Sequence, residues 1–489
     1  MRQLYTLVSK IGTSFRRWSE EKKLVFLSMV CLGILFYVPN NKVLFLATFI
    51  FVSCFYILWK NIIYSLLYTY ILLLPFQNGK GMEFLVVPAY LVYGNIPFTI
   101  TVIYTMSNIL LTMFLYVYFR KYVLKTQTRR PLSFTVTDIL LCVFFVANII
   151  ASAGSDIPLL SLLLTIQVWS YIIGYFILRQ QHVKQWLMGV MLPVFASLGI
   201  FEGVWSILQR VNKGLLGKTI ETIDPSVVSG RVQAASEDAT FFRMQGTFTH
   251  PNSLGFFMAI IAPILFYYSV SKQTSSFGKV LSAVAFMFSM GGLILSGSRA
   301  SWIFCALAIF LLWSNAIVRS SLKFIPGVKR IYKLFLTVCV TLIPIIIVPR
   351  LYQLFTTFGS GGGAQFRWTL IKSSVLMTLQ HPFGVGLGVF PLVFFQELGG
   401  FTSFPTQPHN LPAQILVASG VIGFVSFSLF LILVLISGFY RIHKSQHWQS
   451  LHIVYIISTG VFLSLSMFYP ILTEQQIFAW LWILLAIIA

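Results

Sequence analysis

Apolar residues fall along the chain in runs of about 20, the length of helix that crosses a hydrocarbon core about 30 Å thick. Runs that fit lie near residues 24–39, 43–59, 61–76, 98–119, 134–152, 158–178, 186–208, 253–271, 280–296, 301–318, 334–349, 411–437, 451–470 and 474–489. The first and third are short, so the pattern predicts 12–14 transmembrane helices in an all-α polytopic membrane protein. Ahead of them, Leu4, Leu7, Val8, Ile11, Phe15 and Trp18 recur at helical spacing opposite Arg16, Arg17, Lys22 and Lys23. Residues 1–23 therefore read as an amphipathic segment on the inner membrane surface. They lack the short apolar core and small-residue cleavage site of a signal peptide.

Most connections between the runs are short. Segments 209–252 and 350–410 are much longer, and long loops in a compact protein tend to carry function. The expected organisation is a tail (1–23), an N-terminal bundle (24–208), a first large loop (209–252), a second group of spans (253–349), a second large loop (350–410) and C-terminal spans (411–489). No internal repeat relates the two halves.

Composition agrees with a membrane protein: 57% of residues are hydrophobic and 9% charged, against about 25% charged in soluble domains. A net charge of +22 would point to nucleic acid in a soluble protein. Here it follows the positive-inside rule, and no nucleic-acid partner is expected. With the N-terminus cytoplasmic, inner segments hold 23 of the 34 Lys and Arg, while nine of the 12 acids lie outside or near an outer helix end. Both large loops then face outward. The five cysteines (Cys31, Cys54, Cys142, Cys305, Cys339) stand singly in apolar stretches and offer neither a disulfide framework nor a metal-ligand pattern.

A few cations break the charge rule. Arg243, Arg299 and Arg367 fall on the depleted face, near His250 and His409, and charge retained there usually serves something anionic. Arg243-Met-Gln-Gly246-Thr-Phe-Thr-His250-Pro-Asn252 closes the first loop; Asn252 or Ser253 can cap the next helix, and Arg243 can serve as an interfacial anchor. Leu295-Ser-Gly-Ser-Arg299-Ala-Ser301 is so tight a turn that Arg299 must sit at the membrane boundary. Its guanidinium suits a phosphate, or a carboxylate such as Glu202.

In the second loop, the hinge Gly359-Ser-Gly-Gly-Gly363 precedes Arg367, and Phe366, Leu370, Val375, Met377 and Leu379 predict a helix on the outer surface. The glycines of His381-Pro-Phe-Gly384-Val-Gly386-Leu-Gly388 either bring backbone N–H groups to an anion or form a packing turn. Gln407-Pro-His409-Asn410 leads into a long span, and His409 suits general-base work near neutral pH. No close acidic pair presents itself for a covalent route, since the second loop offers only Glu397. Single displacement with inversion is expected, with Glu397 the alternative base.

The fragments RMQGTFTHPNSLGFF, LSGSRASWIF, FRWTLIKSSVLMTLQHPFGVGLGVF and PHNLPAQILVASGVIGF resemble, in order and spacing, the bacterial O-antigen ligase/polymerase family over about residues 240–440. The resemblance implies glycosyl transfer at the outer face of the cytoplasmic membrane. An undecaprenyl-diphosphate-linked oligosaccharide would be moved onto a lipid-linked repeat unit, without nucleotide sugar, metal or other cofactor. The family's functional residues would map onto Arg243, Arg299 and Arg367 for the diphosphate and onto Arg299 and His409 for catalysis. His250, Asn252, Asn410, Gly384, Gly386 and Gly388 would support them. The implied partners are the lipid-linked oligosaccharide, membrane lipid and other polysaccharide-assembly proteins.

The family includes polymerases and ligases, and polymerase is the expectation because nothing in the chain identifies a final acceptor. The length is also similar to that of the membrane protein of teichuronic acid synthesis in bacilli, which makes such a cell-wall polysaccharide a candidate product. A lipid-linked oligosaccharide flippase is the rival class. Transporters commonly show repeated halves and midplane charges, and this sequence shows neither.

Overall fold

The computed structural model describes residues 18–38, 41–76, 82–88, 99–104, 106–124, 135–218, 221, 243–315, 318, 363–398, 407–444 and 449–489. Among them run α1 (Glu20–Leu35), α2 (Asn41–Trp59), α3 (Ile62–Leu73), β1 (Met82–Pro88), β2 (Thr99–Tyr104), α4 (Met106–Phe119), α5 (Val136–Ala153), α6 (Pro158–Leu178) and α7 (Gln181–Val211). Then come α8 (Pro251–Val270), α9 (Ser276–Ser296), α10 (Arg299–Ser314), α11 (Gly363–Gln380), α12 (Phe390–Leu398), α13 (Leu411–Lys444), α14 (Gln449–Ser466) and α15 (Gln475–Ile488). Seven helices (α5 to α9, α13 and α14) are long and apolar enough to cross a membrane, and α2, α3, α10 and α15 contribute shorter apolar helices. The protein is an all-α, multi-pass membrane protein. Residues 1–17 of the amphipathic tail and the 334–349 run lie outside the described residues, and Glu20–Lys23 form the first turn of α1.

One predicted span differs. Residues 98–119 do not form a single helix: Thr99–Tyr104 pairs antiparallel with Met82–Pro88, and the helix begins at Met106. Thr-Ile-Thr-Val-Ile-Tyr is a run of five β-branched residues and an aromatic, which suit a strand. A hydropathy window sums that run as if it were helix.

Helix α8 is the centre of the bundle, with every residue from Ser253 to Val270 buried. A helix apolar on all sides belongs in a core, and α8 packs on α9, α10 and α14. Beside it, α7 crosses α9 at Gly199 and Gly203. A Cβ on Gly199 would lie 2.5 Å from Ser289 Oγ, and one on Gly203 would strike the Phe288 carbonyl. This pair of small residues four apart lets two membrane helices approach backbone to backbone. It also fixes the rotation of α7 that aims Glu202 at the segment before α8.

Helix α13 is broken at Gly420, whose φ of 67° and ψ of −172° are not helical. Near the break the chain 382–386 docks against α13: Val385 N–H donates to Val417 O (2.9 Å), Gly386 N–H to Ala418 O (3.0 Å), and Val421 N–H to Pro382 O (3.1 Å). That docking seats α11 and α12 on the bundle over a small separate core of Leu160, Leu370, Met377, Val389 and Leu392.

Candidate functional site

The segment before α8 is held from beneath by buried polar groups. Gln209 Nε2 donates to Gly246 O (2.8 Å) and Gln209 Oε1 accepts from Gly246 N–H (2.9 Å). Glu202 accepts from the Thr247 N–H (3.0 Å) and from the Thr247 hydroxyl. Glu221 accepts from Trp205 Nε1 (2.9 Å) and Gln209 Nε2 (2.7 Å). The sequence offers Glu202 as a carboxylate for Arg299; the fold spends it on Thr247 instead.

So anchored, the segment lays Arg243 across the turn between α9 and α10. Arg243 Nε donates to Ser296 O (2.9 Å), one Nη donates to Asn252 Oδ1 (2.5 Å), and Met244 N–H donates to Leu295 O (3.0 Å). Gly297 takes the left-handed conformation there (φ 63°), and a Cβ on it would meet Arg243 Nε at 3.0 Å. Ser298 precedes α10, and Arg299 is its exposed first residue. Arg243 and Arg299 thus flank one turn of two residues.

His250 caps α8, its Nδ1 accepting from Asn252 N–H at 2.9 Å. That role leaves the proton of the neutral ring on Nε2. His250 therefore acts as a donor through Nε2, while Nδ1 is committed to the cap.

The described part of the second loop reaches the same place through a third segment, residues 467–474 between α14 and α15. Asn410 Nδ2 donates to Met467 O (3.1 Å), Asn410 Oδ1 accepts from Ala413 N–H (3.0 Å), and Leu472 N–H donates to Gln414 Oε1 (3.1 Å). On the other side, Ser253 Oγ and Tyr469 Oη lie 2.6 Å apart, Tyr469 donates to Glu474 Oε1 (3.2 Å), and Thr249 Oγ1 donates to Glu474 Oε2 (2.8 Å). The His250 ring stands 6.0 Å from the Tyr469 ring. The 467–474 turn therefore binds the starts of α8 and α13 together. Since Gly255 of α8 packs against Ser296, Ser298 and Ser301, the N-termini of α8, α10 and α13 gather at one end of the bundle. Helix N-termini favour anions, and Arg243 and Arg299 add to that field.

The structure thus brings Arg243, His250, Asn252, Arg299, His409 and Asn410 to one end, clamped by Tyr469, Glu474 and Gln414. The last three were missed in the sequence, where Tyr469 and Glu474 read as helix ends. Pro470 and the polar run Thr473-Glu-Gln-Gln476 between two apolar stretches were the available signal. Arg367 lies on α11, where burial holds its guanidinium below the ordinary arginine value. Glu397 pairs with His381 (2.7 Å), both partly exposed, on the hairpin of α11 and α12. The glycine run is used in packing. Gly384, Gly386 and Gly388 have φ of 91°, 94° and 78°, Gly386 N–H is bonded to Ala418 O, and Gly384 N–H to His381 O (2.8 Å).

Residues 283–428 match the family model described as O-antigen ligase. The match covers less than a third of the chain, and over that stretch the chain is similar to the O-antigen ligase family. The match runs from α9 past the break in α13, so it contains Arg299, Arg367, Glu397 and His409 and leaves Arg243, His250 and the 467–474 turn outside. No curated protein matches the chain. The matched domain supports a role of O-antigen ligase/polymerase type in polysaccharide assembly.

Proposed function

We propose that this protein is a polymerase of a cell-surface polysaccharide, transferring an undecaprenyl-diphosphate-linked glycan onto a lipid-linked repeat unit at the outer face of the cytoplasmic membrane. The observation that carries the reading is the shared turn 467–474, which joins the His250 and His409 segments beside Arg243 and Arg299. A diphosphate leaving group needs cationic and N–H donors where charge develops as the anomeric bond breaks. Arg243 and Arg299 supply the guanidinium groups, His250 a donor through Nε2, and Arg367 a further cation from α11. His409 takes the proton from the acceptor hydroxyl as that oxygen attacks the anomeric carbon. Attack opposite to the leaving diphosphate gives inversion. A teichuronic-acid-like cell-wall polymer is one product this chemistry would make.

The family description favours a second reading, a ligase that hands the glycan to a final acceptor. The test is an assay of the purified chain in vesicles with a lipid-diphosphate-linked oligosaccharide as sole substrate. A ladder of longer lipid-linked glycans supports the polymerase. Transfer only after a non-lipid-diphosphate acceptor is added replaces it with the ligase. Movement of unaltered substrate across the vesicle membrane, without transfer, overturns both and leaves a flippase.

A further inference from the structure

At the end of the bundle away from the arginine cluster, α5 and α7 begin and α6 and α13 end. Arg179 there grips Asp138 through two bonds of 2.6 and 2.7 Å, and its guanidinium lies against Tyr175 and Phe176 (5.6 and 4.9 Å from the ring centres). Asp138 is thereby spent. Lys184, in the first turn of α7, is only 6% exposed, and Arg441 near the end of α13 lies within electrostatic reach of both Lys184 and Tyr175. Among the described residues, no carboxylate or other hydrogen-bond acceptor meets the Lys184 ammonium.

The rest of the chain has little to offer it. Of the 12 acidic residues, only Glu20, Glu21 and Asp138 belong to segments at this end. Glu21 accepts from Ser275 (2.8 Å) on the α9 side. A buried cation without a counter-ion is costly, and an anion from outside the protein would supply the compensating charge. The surroundings say from where. Ile432, Ile436, Phe439 and Tyr440 are all exposed and recur at helical spacing on α13, a stripe that runs up to Arg441. An apolar stripe ending in cations at headgroup depth fits a chain and its phosphate, and basic pockets between membrane helices hold anionic lipid headgroups.

We propose that Lys184 and Arg441 bind the phosphate of an anionic phospholipid whose acyl chain lies along Ile432, Ile436 and Phe439. The site is separate from the glycan site and does not rest on it.

The test uses the full chain in neutral detergent, with native mass spectra recorded after addition of dioleoyl-phosphatidylglycerol or dioleoyl-phosphatidylcholine. Lys184→Met and Arg441→Gln are compared with Lys60→Gln, which removes an exposed cation between α2 and α3. Each site variant should hold phosphatidylglycerol about fivefold more weakly, while Lys60→Gln and phosphatidylcholine binding stay unchanged. Arg441 is exposed, so its variant carries the test even if Lys184→Met folds poorly. Phosphatidylglycerol binding indifferent to Arg441→Gln would overturn the proposal. So would thermal stabilisation by inorganic phosphate that is lost in Arg441→Gln without any preference for phosphatidylglycerol, which assigns the pocket to the free anion.

Discussion

Tyr469 and Ser253 lie 216 residues apart and share a hydrogen bond of 2.6 Å. Tyr469 also donates to Glu474, which takes a second bond from Thr249. This contact fastens the start of α8 to the turn that also holds Asn410. Tyr469→Phe removes both bonds and leaves the buried Ser253 hydroxyl without this partner. The expected loss is about 1–3 kcal/mol, read as a lower melting temperature, with a slower transfer rate at a temperature where the variant is still folded. Unchanged melting and rate would show that the clamp contributes nothing.

The network under Gly246 predicts a graded series at Glu202. Glu202→Gln keeps an acceptor for the Thr247 N–H and should lose less than Glu202→Leu, which buries that N–H and hydroxyl unsatisfied at about 1–3 kcal/mol each. Denaturant or thermal melts of the two variants decide the order.

Arg243 makes two directed bonds, to Ser296 O and Asn252 Oδ1. A lysine is a single point charge and does not reproduce that planar fork. Arg243→Lys is therefore expected to behave closer to Arg243→Ala than to the native chain, with at least a tenfold fall in kcat/KM for the lipid-diphosphate donor, about 1.4 kcal/mol. Near-native kcat/KM in Arg243→Lys would mean that charge alone suffices.

Two histidines on the second loop separate the site from its support. His381 pairs with Glu397 on the hairpin, whereas His409 precedes Asn410 at the start of α13. His409→Ala should lower turnover by about 100-fold or more, the scale of a lost general base. His381→Ala should leave turnover within a few fold. The reverse ranking, measured by initial rates, would move the chemistry to the hairpin and restore Glu397 as the base.

The spans were legible in the sequence because burial in lipid demands long apolar runs, and thirteen of the fourteen runs coincide with described helices in whole or in part. The 98–119 run was misjudged where a β-branched strand hid inside high hydropathy. Arg243, Arg299 and His409 stood out as cations and an imidazole on the face that holds fewer cations. Glu202 was visible but not its partner, since helix rotation depends on the close packing at Gly199 and Gly203. Tyr469 and Glu474 were hidden because a short turn between two apolar runs looks like frayed helix ends. The glycines at 384, 386 and 388 left two readings open, and only the fold shows that Gly384 N–H bonds to His381 O and Gly386 N–H to Ala418 O of α13.

Packing tests follow from those glycines. Gly386→Ala places a Cβ 2.5 Å from Ser161 Oγ at a φ of 94°, a conformation L-residues avoid. It should cost more than 2 kcal/mol, on the order of a strained backbone plus overpacking. Gly291→Ala, with nothing within 4 Å of the added Cβ, should be neutral or slightly stabilising inside α9. Equal melting temperatures for the two variants would refute the close packing of this loop against α6.

The central claim is that the segment before α8 and the segment before α13 form one site. A double-mutant cycle on transfer rate tests it, using Arg243→Ala, His409→Ala and the double variant. Residues that act as a unit are strongly non-additive, so the double variant should lose little more than the worse single one. Losses that multiply independently would contradict a shared site and place the two segments in separate steps.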